Sequence, residues 1–304
     1  MKKTFLIQNE DNNSRLDRWF RRSLSNIPQA LIEKNIRKGN IKVNRKIKKS
    51  SYKLKSNDVV DVYNVNFAPN KNIKSKTGYI ATKKEIFQSS GMFIENNDNF
   101  VVINKPAGIA VQSGTKSIRN ILDILKKSKE FYGFSPYPVH RIDKETTGVF
   151  VVAKNRQYAQ LFTSLFRIRK IYKTYLCVVV GSMKEKDKGI FNDELITYEG
   201  NKKIFSKAIT RYEVIDTNNK YTLLKLNPET GRKHQLRKQL LIRGYPILGD
   251  SKYKLSYMKK NKKKNLMLHS YKINFSINGV KHKYFAELPD IFKSTLKEKY
   301  LKIS

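Results

Sequence analysis

The residues best suited to chemistry lie in one short charged segment, residues 140–148, which read HRIDKETTG. The apolar, β-branched run at residues 149–153 follows directly and predicts a buried strand. The charged segment must then be a loop delivered to the edge of a core, and Gly148 permits a tight entry into the strand. Catalytic residues often lie on such loops, although a segment of this kind taken alone is more often a solvated turn.

Residues 140–148 resemble the H-R-[LI]-D-x-[DE]-T-[ST]-G signature of the RluA-type pseudouridine synthases, whose Asp is catalytic, and this implies a catalytic Asp143. The KTY run ending at Tyr175 resembles the family's second motif, which implies that Tyr175 lies against the target base, whereas Tyr172 is expected to be a packing residue. The GRKHQLR run ending at Arg237 resembles the third motif, G-R-x-H-Q-[IL]-R. It implies that Arg237 is the cation partner of the carboxylate.

These residue types suit the reaction that the resemblance implies. Pseudouridine formation breaks the bond between uracil N1 and ribose C1′, turns the base and rejoins it through C5. The site needs a carboxylate that acts as a nucleophile or takes a proton from the sugar, and Asp143 supplies it. Arg237 would keep that carboxylate ionised and oriented, and the Tyr175 ring would retain the detached base. We expect no metal or small-molecule cofactor, since the reaction needs none and the sequence has no Walker or Rossmann motif.

The uridine has to leave its base stack to reach such a site. Arg141 and His140, next to Asp143, are candidates to fill the place that the uridine leaves in the stack or to hold a phosphate. The run NKPAGIAVQ is similar to the family's N-K-P-x-G-x-x-V-H segment, and its Lys105 is expected to anchor a flanking phosphate. Arg232 is expected to do the same at the positive end of a helix that starts at the Pro-Glu-Thr-Gly turn.

Composition favours a nucleic-acid partner. The chain has 63 Lys and Arg against 25 Asp and Glu, a net charge of +38, and such a chain repels itself unless it meets a polyanion. A lysine-rich proteome is the alternative explanation, and the many Lys, Asn and Ile residues suggest that it contributes to this charge. No strongly basic amphipathic helix, membrane-length apolar run or signal-peptide core is present. With Cys177 as its one cysteine, the chain forms no internal disulfide or cysteine zinc site, and we expect a cytoplasmic monomer.

Residues 1–65 predict a small domain with two short helices, beginning near Ser14 and Pro28, and a small sheet. It resembles an S4-type RNA-binding domain through its S-R-L-D start and its G-x-[IV]-x-V-N run. The alternative is a basic helical hairpin without a ligand. The cations that we expect to contact RNA phosphates are Arg15, Arg37, Lys38, Lys42 and Arg45.

Residues 66–91 are polar and predict a linker, and residues 92–304 predict a catalytic domain. In the latter, strands outnumber crossovers, which indicates an α+β fold with a mixed, mainly antiparallel sheet and a few helices. No internal repeat is visible.

The S4-type module, residues 110–114 and the Asp143 loop look most like the large-subunit ribosomal RNA synthase C subgroup, which implies 23S ribosomal RNA as the substrate. The synthase D subgroup shares the architecture and stays open, as does a tRNA substrate, which the module disfavours. A non-catalytic RNA-binding or ribosome-assembly protein would be expected to lose Asp143, Tyr175 or Arg237, and all three are present. A basic structural ribosomal protein would explain the charge but not an acidic residue among these motifs.

Overall fold

A computed structural model of the chain describes residues 2–24, 27–64, 79–113, 118–184, 187–199, 202–258 and 265–303. The chain divides into two compact units, Met1–Gly78 and Tyr79–Ser304. Over the described ranges, no helix has both the length and the apolar character needed to span a bilayer.

The first unit is a three-stranded antiparallel sheet covered by two helices. Its elements are β1 (Lys2–Leu6), α1 (Leu16–Ser23), α2 (Gln29–Arg37), β2 (Ile41–Val43) and β3 (Val59–Tyr63), with strand order β1-β3-β2. Trp19, Phe20 and Ile32 are buried from the helix side. The second helix starts after Pro28 as expected, but the first starts after Arg15 and not at a Ser14 cap.

The predicted linker does not hold for residues 79–91, which belong to the second unit. Helix α3 (Lys83–Ser89) lies in this stretch and starts with a capping box. Thr82 Oγ accepts a hydrogen bond from Glu85 N at 3.3 Å, and the Glu85 carboxylate accepts one from Thr82 N at 2.9 Å. Tyr79 N donates to Asp123 Oδ2 at 3.0 Å. The T-x-x-E spacing was the overlooked signal, and residues 66–78 of the expected linker lie outside the described residues.

The second unit is built on one mixed sheet. Its strands are β4 (Phe93–Asn96), β5 (Phe100–Lys105), β6 (Tyr137–Pro138), β7 (Thr147–Ala153), β8 (Tyr172–Val180), β9 (Lys188–Glu199), β10 (Lys202–Thr217), β11 (Tyr221–Pro228), β12 (Leu268–Ile277) and β13 (Val280–Phe285). Their order among the described residues is β4-β5-β7-β12-β8-β11-β10-β9, with β6 paired to β7 and β13 to β12. The remaining helices are α4 (Ile121–Leu125), α5 (Arg156–Arg167), α6 (Gln235–Ile242) and α7 (Asp290–Glu298).

The pairings confirm the predicted α+β class. Those assigned are antiparallel except β7–β12, which is parallel. Strand β7 is buried on both faces, which explains its continuous apolar run: Phe150 and Val152 pack in the core that contains α4, and Val149 and Val151 in the core that contains Phe162 of α5. The sequence reasoning missed α7, which contributes Phe292 and Leu296 to a third core.

The two halves of this sheet meet at a short seam between β7 and β12. Only His269 with Thr147 and Ser270 with Gly148 are in register, and Thr147 Oγ lies 2.8 Å from His269 Nδ1. Gly148 has a φ of +104°, and a Cβ there would lie 2.2 Å from the Ser270 carbonyl oxygen. Only glycine fits this close approach, so the expected tight entry into β7 has a specific cause. The seam also brings the charged loop before β7 close to β12 and β8.

Candidate active site

A cleft of about 740 Å³ lies beside the seam, lined by the loop before β7, the end of α5, the start of β8 and the segment that leads into α6. The structure brings Asp143, Tyr175 and Arg237 together in its wall. Arg141 and Arg232, which were predicted to bind RNA, line the cleft as well.

Arg237 links two carboxylates at the base of the cleft. Its Nη1 donates to Asp143 Oδ2 at 3.1 Å, while Nε and Nη2 donate to the two oxygens of Asp250, each at 2.7 Å. The Asp143 side chain is 21% exposed and that of Asp250 is 1% exposed. Burial would lower the pKa of Arg237, but its bonds to Asp250 and Asp143 raise it above the ordinary value. A permanently charged guanidinium is therefore fixed in plane by Asp250 and directed at Asp143.

The Asp250 carboxylate is held ionised although it is buried. Burial by itself would raise its pKa, but hydrogen bonds from Arg237 and from the backbone amides of Tyr253 and Lys252 lower it below the usual range. No role was assigned to Asp250 from the sequence. Its function as the main partner of Arg237 is visible only in the structure.

His234 is a site residue that the sequence reasoning left without a role. Its Nε2 lies 3.7 Å from Asp143 Oδ1, and its Nδ1 lies 2.8 Å from the hydroxyl of Tyr253. The Tyr253 ring also lies against the guanidinium of Arg237, with 4.9 Å between Cζ and the ring centroid. The third motif contains His234, so its spacing next to Arg237 was the available signal.

Gln235 explains why the loop before α6 takes this shape. Its Nε2 donates to Ile209 O at 3.1 Å and to Thr210 Oγ at 2.9 Å, and its Oε1 accepts from Arg232 N at 3.0 Å. These bonds attach the loop to β10. They hold His234 in a left-handed backbone conformation, with φ +55° and ψ +33°.

Tyr175 and Lys173 lie on the same face of β8, since side chains two positions apart in a strand point the same way. Tyr175 is 9% exposed, and burial raises the pKa of its phenol to about 12, although a hydrogen bond with Ser270 opposes the shift. Burial lowers the pKa of Lys173 to about 8. Lys173 was missed by the sequence reasoning, although the K-x-Y spacing places it beside Tyr175. Tyr172 points to the opposite face of β8 and is 62% exposed, so the prediction that it is a packing residue is wrong.

Lys105 does not reach the cleft, which contradicts its predicted phosphate contact. Its side chain is fully buried, and Nζ donates to the carbonyls of Pro106, Ile109 and Lys144 at 2.7, 3.0 and 3.1 Å. Burial lowers the pKa of Lys105 to about 7, while Glu145 and Asp143 oppose the shift. The lysine fastens its own loop to the back of the Asp143 loop.

His140 also has a different role from the one predicted. Its Nε2 accepts a hydrogen bond from Val151 N at 2.9 Å, and its ring lies 4.7 Å from that of Phe150 and 4.9 Å from that of Phe166. Burial lowers the pKa of His140 to about 3. A neutral, packed ring has no positive charge to attract a phosphate, and its Nε2 is already bonded to the backbone. His140 instead holds the Asp143 loop against β7.

The cleft rim carries an excess of cations. Helix α6 starts at Gln235, later than expected from the Pro-Glu-Thr-Gly turn, so Arg232 lies in the preceding loop and donates from Nε to Lys207 O at 3.0 Å. The exposed cations in the wall are Arg141, Arg167, Arg169, Arg232 and Lys233. Arg167 and Arg169, at the end of α5, were not singled out from the sequence. This arrangement suits a polyanion that passes over the Asp143–Arg237 pair.

The cations predicted to bind RNA in the first unit differ in exposure. Arg37, Lys38 and Arg45 are exposed. Lys42 is half-buried, with Nζ 5.4 Å from the Tyr63 ring centroid. Arg15 is held by an ion pair with Asp17 at 2.7 Å.

Comparison with known proteins gives consistent results. The family model for RNA pseudouridylate synthase matches residues 99–241. The chain is 32% identical to "Ribosomal large subunit pseudouridine synthase C" of Buchnera aphidicola subsp. Baizongia pistaciae over 96% of this chain and 95% of that protein. It is 33% identical to the protein of the same name from Rickettsia conorii, over 93% and 97% of the two chains. The solved structure of "Human RNA Pseudouridylate Synthase Domain Containing 4" superposes with a TM-score of 0.60 at 28% identity, over 71% of this chain and 96% of that one.

Proposed function

The chain belongs to the RNA pseudouridylate synthase family and is an RNA pseudouridine synthase, and on that premise we propose that it isomerises uridines in the 23S RNA of the large ribosomal subunit. The relatives named as large-subunit ribosomal synthases over nearly their whole length support this substrate. We propose further that it works in the cytoplasm as a monomer and without a cofactor.

One observation carries the proposed chemistry: Asp143 and Arg237 form an ion pair at the base of a cleft whose rim is cationic. The carboxylate would act on the ribose of the bound uridine, either attacking it or removing a proton from it, while the N1–C1′ bond breaks. Arg237 would orient that carboxylate through its hydrogen bond. The C5–C1′ bond then forms as the bond between Asp143 and C1′ breaks or, in the second route, as Asp143 returns its proton to the ribose. The proton on C5 leaves to solvent or a base, and N1 gains one.

The remaining cleft residues fit the handling of the base and the backbone. Tyr175 is a neutral, buried phenol in the cleft wall, and we propose that its ring holds the detached uracil. Arg141, exposed two residues before Asp143, would occupy the space that the flipped base leaves or hold its phosphate. Arg232 would bind a flanking phosphate from the opposite wall.

We propose that the first unit adds affinity for RNA. Its exposed cations Arg37, Lys38 and Arg45 suit contacts with backbone phosphates, with Lys42 beside them. Arg15 would contribute less, because Asp17 already neutralises it.

The decisive experiment maps pseudouridine in ribosomal RNA and tRNA from a strain that lacks this protein, complemented with the wild-type chain or with Asp143→Asn. We expect large-subunit sites to disappear on deletion and to return with the wild type only. Return with Asp143→Asn would exclude the catalytic role of Asp143. Loss of tRNA sites instead would reassign the substrate, and an unchanged map would favour a non-catalytic role in RNA binding or ribosome assembly.

A further inference from the structure

The two oxygens of Asp143 face different side chains. Oδ2 accepts a hydrogen bond from Arg237 at 3.1 Å, whereas Oδ1 faces His234 Nε2 at 3.7 Å. The second distance is too long for a formed hydrogen bond, but a small shift of the ring would close it, and contacts of this kind often tighten only when substrate binds. Oδ1 is therefore the less constrained oxygen of the carboxylate.

The tautomer of His234 follows from its two neighbours. An ionised carboxylate only accepts hydrogen bonds, so a bare Nε2 in front of Oδ1 would be repelled. A proton on Nε2 is favourable there, and Nδ1 is then an acceptor for the Tyr253 hydroxyl at 2.8 Å. Burial lowers the pKa of His234, as do Arg237, Lys252 and Lys233, while Asp143 opposes the shift. The His234 ring is thus neutral and carries a single N–H, on either Nε2 or Nδ1.

From this geometry we propose that His234 is a positioning residue for Asp143, with its tautomer set by Asp143 and Tyr253 together. The Tyr253 hydroxyl donates to His234 Nδ1, and His234 Nε2–H points at Asp143 Oδ1. The second contact orients Oδ1, which does not bind Arg237 and can therefore act on the ribose. The inference rests on the proposed function, in which Asp143 is the reacting group.

The backbone conformation at position 234 does not itself require a histidine. A non-glycine residue in the left-handed region costs about 1 to 2 kcal/mol, and such residues persist where the surrounding structure enforces them. Asparagine tolerates the left-handed conformation better than most residues, so backbone preference alone would favour Asn at position 234. Asn is too short to reach Oδ1. Gln fits the backbone less well, but its amide nitrogen can take the place of Nε2.

The tautomer is tested directly by ¹⁵N NMR of the full chain labelled at histidine, with the His234→Gln spectrum assigning the signal. We expect a protonated Nε2 and an unprotonated Nδ1 in the wild type. In Tyr253→Phe, which keeps the ring against Arg237 but removes the hydroxyl, we expect a mixture of tautomers. A bare Nε2 in the wild type, or an unchanged signal in Tyr253→Phe, would overturn the proposal.

The positioning role is tested by single-turnover release of tritium from [5-³H]uridine in ribosomal RNA taken from the deletion strain. We expect His234→Asn to lose about 100-fold in rate, the cost of a misplacement of about 1 Å, at unchanged RNA affinity. His234→Gln should retain most of the wild-type rate. Equal rates for the two variants, or a faster Asn variant, would overturn the proposal. A wild-type chain that releases no tritium would refute the proposed function, and the NMR result would still decide the tautomer.

Discussion

The two carboxylates bound to Arg237 should respond differently to the same substitution, aspartate to asparagine. Asp250 is 1% exposed and accepts two bonds of 2.7 Å, whereas Asp143 is 21% exposed and accepts one of 3.1 Å. We therefore expect Asp250 to stabilise the fold and Asp143 to serve the reaction. Neither substitution changes the side-chain volume appreciably, so packing is matched.

The expected magnitudes follow from burial. Removing one member of a buried ion pair costs about 3 to 5 kcal/mol, and we expect about 3 kcal/mol for Asp250→Asn because Arg237 keeps Asp143 as a partner. For Asp143→Asn the loss should be no more than about 1 kcal/mol, as for a partly exposed pair. We also expect Asp250→Asn to lower the rate about 100-fold through displacement of Arg237, and Asp143→Asn to abolish it.

The assay has to report on the second unit. The single tryptophan, Trp19, lies in the first unit, so its fluorescence should be unchanged by either variant and serves as an internal control. Amide hydrogen exchange of β8 and β12 under mild denaturant measures the second unit directly. The difference in the free energy of unfolding between wild type and Asp250→Asn should be largest above about pH 4 and should shrink below it. The reason is that the pKa of Asp250 is lowered in the folded state, so the stability it contributes is lost as the carboxylate protonates.

Three results would refute parts of this reasoning. If Asp143→Asn destabilised the second unit as much as Asp250→Asn does, the pair in the cleft would be structural. If Asp250→Asn cost less than about 1 kcal/mol, the buried pair would not hold the fold at all. A fully active Asp250→Asn variant would show that Arg237 needs no second carboxylate to face Asp143.

Three further predictions use matched variants. Lys105→Met should lower the free energy of unfolding by about 2 to 3 kcal/mol, because it leaves buried carbonyls without a donor, and should leave RNA affinity unchanged. Arg232→Gln should weaken RNA binding and leave stability unchanged. Denaturation and filter binding measure both variants, and weaker RNA binding by Lys105→Met would contradict the prediction. Gly148→Ala should lower the free energy of unfolding by more than about 3 kcal/mol, because its Cβ meets Ser270 O. Gly108→Ala, where φ is +79° and no atom lies near the added Cβ, should lower it by about 1 to 2 kcal/mol. Equal losses in thermal unfolding would argue against the close approach at the seam. RNA affinity should fall with salt by about 0.9 log unit per log unit of salt for each phosphate contact on duplex, and by about 0.7 on single strands, so a slope near zero in a titration would exclude the electrostatic contacts.

Much of the fold was predictable because its signals are local. Five consecutive apolar residues ahead of Lys154 predicted a buried strand, and β7 is buried along its whole length. The K-x-Y spacing would also have placed Lys173 on the Tyr175 face of β8, although Lys173 was not singled out. The overlooked helix α3 was also locally encoded, by its Thr82–Glu85 capping box.

The errors arose where a side chain's partner is distant in sequence. Lys105 appeared to be a surface phosphate ligand because nothing local shows that the Lys144 carbonyl, 39 residues on, closes over its ammonium group. His140 appeared to be free for RNA, because its contact with Phe166 depends on how α5 packs. Periodicity and turn chemistry describe one element at a time, whereas these contacts depend on the fold.

The seam between β7 and β12 also sets the order in which the chain becomes active during synthesis. Hairpins such as β4–β5 and β9–β10 join neighbouring segments and close early, whereas Asp143 and Arg237 are 94 residues apart and belong to opposite halves of the sheet. The strand that joins the halves, Leu268–Ile277, leaves the ribosome after all three motifs. A nascent chain therefore displays its cations and its carboxylate to nearby RNA before the catalytic pair can form. We expect such a chain to bind RNA without modifying it.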